Sequence, residues 1–141
     1  MLIKTLSLAA VAALSFAVPA MAGDVTVTLT GVQARGGVLL AALQTQGQFM
    51  QPGGAYGERV TDPATGALRL TFHNVAPGDY ALMVLHDEDS DGQMKMNGSM
   101  PAEGWAMLNA EALRAAPTFD QVKFTVAASG ADISVPMSYP R

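Results

Sequence analysis

The sequence has no cysteine, one tryptophan and little charge in its 141 residues. Without cysteine there is no disulfide to staple the fold, no thiol nucleophile and no lipid-modified residue of a lipoprotein. Stability must therefore come from buried apolar surface or from a bound ion. Charged residues make up 14% of the chain, and twelve acids outnumber eight bases. That balance repels nucleic acid and anionic lipid, which excludes both as electrostatic partners. Beyond Val18 no apolar run approaches the ~20 residues of a spanning helix, so no stable membrane insertion is expected after the leader.

What is present begins with that leader. Lys4 supplies a basic start, Leu6 to Val18 is apolar apart from Ser7 and Ser15, and Pro19 breaks a helix. Ala20-Met21-Ala22 then gives the small-x-small cut of a secretory signal peptide. Residues 1–22 are accordingly expected to be a signal peptide, and residues 23–141 a single domain in the periplasm or outside the cell. Loss of Lys4 leaves seven bases against twelve acids, a formal charge near −5.

The rest of the chain is organised as short strands. Val25 to Thr30 alternates apolar and polar residues without error, the pattern of a half-buried strand. Val38 to Leu43 is an unbroken apolar run, suited to a central strand covered on both faces. A polar Gly/Pro-rich loop, Gln44 to Gly57, precedes a weak strand at Glu58 to Thr61, and Asp62-Pro63-Ala64-Thr65-Gly66 is turn chemistry. Leu68, Leu70 and Phe72 then line one face of a strand, with Arg69, Thr71 and His73 on the other. Tyr80 to His86 reads as another interior strand. Val122 to Val126 and Ile133 to Met137, separated by Ser129-Gly130, suggest a closing hairpin. The one helical signal is Asn109 to Ala116, stopped by Pro117. About seven short strands punctuated by turns predict an all-β fold, an antiparallel β-sandwich of immunoglobulin or transthyretin type with one short helix.

The chemically informative stretch is Asp87-Glu88-Asp89-Ser90-Asp91-Gly92. Oxygen ligands at alternate positions followed by glycine match the first half of a calcium loop, in which several side chains converge on one ion and glycine permits the sharp turn. Asp87, Asp89 and Asp91 are the candidate side-chain ligands, with the Gln93 carbonyl next. The second half departs from an EF-hand, since Lys95 stands at position nine and Gly98 at position twelve. The last ligand would have to come from Asn97 or Glu103. The plain alternative is a solvated acidic turn, built from ordinary turn residues.

Phe72-His-Asn-Val-Ala-Pro-Gly-Asp-Tyr-Ala81, His86-Asp87-x-Asp89-x-Asp91-Gly92, Asn97 and Pro101-x-Glu103-Gly104 occur in that order. This series resembles the small exported bacterial proteins of the domain of unknown function 2141 family, over essentially the whole mature chain. The resemblance implies a β-sandwich and export, and supplies no activity. Family members usually carry an acidic residue where this chain has Lys95, and one more residue between Asn97 and Pro101. Both departures weaken a metal site, because an ammonium offers no lone pair and repels a cation. The Pro-Gly-x-Tyr turn is also similar to that of carboxypeptidase-regulatory and transthyretin-like sandwiches, an analogy of fold alone.

Other chemistry has less support. Met94, Met96 and Met100 near His86 present thioether and imidazole donors that suit Cu(I), so a periplasmic copper carrier is the alternative function. Against it, methionine is an ordinary filler of irregular cores. His86 beside Asp87 lacks an accompanying nucleophile motif, and His73 reads as a surface residue. An enzyme of unrecognised type is the third possibility. Phe49, Tyr56 and Trp105 are expected to pack over a small core rather than to form a ligand platform. Taken together, the residues suggest an exported non-catalytic β-sandwich module, with calcium as its candidate ion and an envelope protein or small ligand as its partner.

Overall fold

A computed structural model describes residues 22–141. The predicted signal peptide lies outside the described residues except for Ala22. Alternation in the first strand, β1 (Gly23–Val32), drives Val25, Val27 and Leu29 to zero exposure while the threonines between them stay half exposed or exposed. The same period-two logic forms β4 (Gly66–Val75), where Leu70 and Phe72 face inward and Arg69 and His73 outward. β1 and β4 pair antiparallel.

The apolar runs become the inner strands of a second sheet. β2 (Val38–Gln44) pairs on one side with β3 (Tyr56–Thr61) and on the other with β5 (Gly78–Asp87). Beyond β5 lie β8 (Gly104–Ala106) and β9 (Lys123–Val126), each pairing with a different half of it. Between β5 and β8 a separate two-stranded ribbon, β6 (Met96–Asn97) and β7 (Met100–Pro101), belongs to neither large sheet. The first sheet is completed by β10 (Ala131–Pro136), giving the order β10-β1-β4. The two faces bury one core that includes Leu29, Leu39, Leu43, Phe72, Leu82 and Val135. The result is a mostly antiparallel sandwich whose seven longer strands are β1 to β5, β9 and β10. No helix among the described residues is long and apolar enough to cross a membrane.

Two local expectations are revised. The closing strands do not form a hairpin. β9 joins β5, whereas β10 crosses to the other sheet and runs parallel to β1, with only the Ala127–Gly130 bridge between them. Alternation reports which residues of a strand are buried and carries no record of its neighbour. The helix expected over Asn109–Ala116 is reduced to a 3-10 turn at Ala110–Ala112, which ends where Leu113 takes an extended conformation (φ −72°, ψ 138°). A four-residue helix, α1 (Phe119–Val122), forms instead after Pro117, where Gln121 Oε1 accepts the Thr118 N–H at 3.0 Å. That Thr-x-x-Gln spacing is a capping-box signal.

The aromatics predicted to pack do so. Phe49 meets Phe119 edge-on at 5.8 Å in a small cluster with Ala81, Met107 and Val122, against which Trp105 also packs. Tyr56 packs edge-on to Tyr80 against the main core.

Candidate functional site

The central strand β5 ends by delivering His86 and Asp87 to one edge of the sandwich, both almost fully buried. A buried carboxylate must have its oxygens satisfied, and Asp87 achieves this through the loop that follows it. Its Oδ1 accepts the Asp91 N–H at 3.1 Å and its Oδ2 the Gly92 N–H at 2.7 Å. The chain reaches this geometry by placing Ser90 (φ 57°) and Gly92 (φ 79°) in the left-handed region, where glycine carries no steric penalty. Asp91 in turn accepts the Gln93 N–H at 2.9 Å. Carboxylate oxygens of Asp87, Asp89 and Asp91 lie within 4.8 Å of one another, with Asp87 buried and the other two exposed.

Glu103, at 3% exposure, does not join that group. Its Oε1 accepts the Glu88 N–H at 3.2 Å and its Oε2 the Lys95 N–H at 3.1 Å, so one buried carboxylate clamps both ends of the acidic loop. Lys95, which the calcium-loop pattern treats as a misfit, turns its ammonium onto Asp89. The hydrogen bond from Lys95 holds the Asp89 carboxyl below its ordinary value, and Asp89 raises the ammonium in return, helped by Asp91 and Glu103. Asn97 is exposed on the ribbon and lines a groove with Met100, Pro140 and Arg141.

A sequence profile for the family described as "Uncharacterized protein conserved in bacteria (DUF2141)" matches residues 27–134. The chain belongs to this family. The DUF2141 match runs from inside β1 to inside β10 and encloses the acidic loop with both of its buried carboxylates. No curated protein and no solved structure matches the chain.

Within this DUF2141 domain the sulfur and imidazole donors are not assembled. His86 has no exposure, and both ring nitrogens are engaged, Nε2 with the Gly36 carbonyl at 2.8 Å and Nδ1 with the Tyr139 hydroxyl at 2.8 Å. A carbonyl only accepts, so Nε2 carries a proton, and in the neutral ring Nδ1 then accepts from Tyr139. Met96 pairs with Pro101 and Met100 with Asn97, and successive residues of a strand face opposite ways. The two exposed methionines therefore leave the ribbon on opposite faces, while Met94 is half-buried. His73 is exposed and bonds Asp24 through Nδ1 at 3.2 Å.

Sequence reasoning missed three supports of the site. Lys95 as a resident counter-ion, Tyr139 as the partner of His86, and Arg35, whose guanidinium bonds Glu88 Oε1 at 3.2 Å, all act across the folded structure. The packing of Gly37 under Asp87 and Glu88 was not legible either, because the two segments are brought together by the β2–β5 pairing.

Proposed function

We propose that the chain is an exported, non-catalytic β-sandwich module of the bacterial envelope whose acidic loop takes a calcium ion. The observation that carries the proposal is the convergence of Asp87, Asp89 and Asp91 within 4.8 Å, with Asp87 already oriented by two backbone N–H groups. Carboxylate oxygens suit calcium rather than a soft transition metal. Each carboxylate oxygen has two lone pairs, so the internal hydrogen bonds leave acceptor capacity for an ion. The Gln93 carbonyl and Asn97 are the further donors within the loop and ribbon, and Glu103 serves as the clamp.

Lys95 sets the condition for binding, since its ammonium must leave Asp89 before a cation enters. The predicted signal peptide supports export, to a compartment where calcium sites with Kd of ~10⁻⁴ to 10⁻³ M are filled. The non-catalytic reading is supported by the two histidines, one locked in the core by two hydrogen bonds and one paired with Asp24 at the surface.

Thermal melting under calcium titration tests the site. At 100-fold excess over Kd, calcium should stabilise the protein by about 2.7 kcal/mol, and Lys95→Gln should reach that gain at lower calcium. No shift at millimolar calcium, or an equal shift in the Asp89→Ala and Asp91→Ala double variant, rejects the site.

A further inference from the structure

Beneath the acidic loop lies a second network, built on the C-terminal tail. The tail bridges the two sheets: the Met137 N–H bonds the Thr30 carbonyl of β1 at 2.8 Å, and Ser138 exchanges backbone hydrogen bonds with Trp105 of β8 at 2.8 and 2.9 Å. This holds Tyr139 over the end of β5. Its ring meets His86 edge-on at 5.7 Å and lies 4.8 Å below the Arg35 guanidinium. Its hydroxyl oxygen accepts the Gln33 N–H at 3.0 Å while its proton goes to His86 Nδ1.

These contacts converge on the turn from Gln33 to Gly37, and that turn touches the start of the acidic loop. His86 Nε2 donates to Gly36, and Gly37 packs so closely on the backbone of Asp87 and Glu88 that no Cβ fits there. Arg35 completes the link, lying over Tyr139 and bonding the Glu88 carboxylate. We propose that Tyr139 is a positioning residue for the acidic loop, acting through His86 and the Gln33–Gly37 turn to set where Asp87 and Glu88 begin the curl. Its consequence for calcium rests on the function proposed above, whereas the positioning itself does not. The C-terminal tail thereby controls the order of a loop that precedes it in the chain, Asp87 to Gly92, from a position beyond the span matched by the family.

The physical reason is a matter of satisfied groups. Loss of the Tyr139 hydroxyl leaves His86 Nδ1 buried without a donor and hands the exposed Gln33 N–H to water, and an unmade buried hydrogen bond is costly. The cost falls on the turn that seats Asp87. A purely structural role would instead weaken the whole fold evenly.

Amide exchange measured by NMR on the whole protein separates these cases, using Tyr139→Phe beside Tyr56→Phe. The Tyr56 hydroxyl accepts the Ala76 N–H at 3.0 Å, away from the acidic loop. Tyr139→Phe should speed exchange at the Asp91, Gly92 and Lys95 N–H groups by about tenfold, the scale of one or two lost hydrogen bonds, while Tyr56→Phe leaves them unchanged. Unchanged exchange in Tyr139→Phe, or equal acceleration in both variants, overturns the proposal. Calorimetric titration with calcium chloride alone should show about fivefold weaker binding in Tyr139→Phe. A parent that takes up no calcium overturns the calcium function alone, and the exchange comparison still decides Tyr139.

Discussion

Gly104 lies on β8 against the ring of Tyr139, and an added Cβ would overlap ring carbons Cδ1 and Cε1. The ring is held by His86 on one side and Arg35 on another, so it has little room to yield. Gly104→Ala should therefore destabilise the protein by about 1 to 3 kcal/mol, the range for forcing extra atoms into a packed site. Urea unfolding checks this, and an unchanged midpoint would mean that the ring shifts freely. At this scale the convergence of the three aspartates was legible, because alternate carboxylates ahead of a glycine fall on one side of a curled loop. Lys95 was legible only as a defect. Whether an ammonium six residues from Asp89 repels an ion or neutralises the loop depends on how the backbone curls between them.

Among the elements, β5 bears the most pairings, joining β2, β8 and β9. Leu82 sits in it with no exposure, inside the main core. Its truncation to alanine should cost about 2 to 5 kcal/mol, as for other fully buried leucines. A loss under 1 kcal/mol would mean that the core collapses around the gap. The apolar runs of β2 and β5 marked them as interior strands, since only residues covered on both faces dispense with alternation. The pairing of β9 and β10 was illegible for the converse reason. A Ser-Gly turn between two alternating segments is compatible with a hairpin, yet β1 still had an open edge, and β10 filled it. Helix-favouring residues lie before Pro117, yet the helix forms after it, where Thr118 and Gln121 supply the cap.

For the whole molecule, the hydrogen-bonded and ion-paired surface carboxylates and lysines define a pH window. The Asn74 backbone N–H, then His73, lowers Asp24; the Thr125 hydroxyl, then Lys123, lowers Asp79; the Lys95 hydrogen bond lowers Asp89. A carboxylate with a depressed folded pKa stabilises the fold above its unfolded pKa, and that contribution disappears as pH falls through the folded value. Lys95 and Lys123 are raised, chiefly by Asp89 and Asp120. Their contribution is complete below the unfolded value and is lost as pH rises through the folded one. The urea midpoint should thus be flat between about pH 5 and 9, fall below about pH 4 and fall again above about pH 10. All these groups lie at the surface, so 1 M salt should shrink both declines. A midpoint that rises on acidification to pH 3 would contradict the assignment. By itself the sequence determined the class of fold, the strand faces and the acidic loop. Each of these rests on residues adjacent or evenly spaced along the chain. Tertiary structure alone decided that β10 runs beside β1, that Glu103 clamps the loop while Lys95 neutralises it, and that Tyr139 closes on His86. Those contacts join distant segments, and local periodicity carries no information about which distant groups will satisfy a buried polar atom.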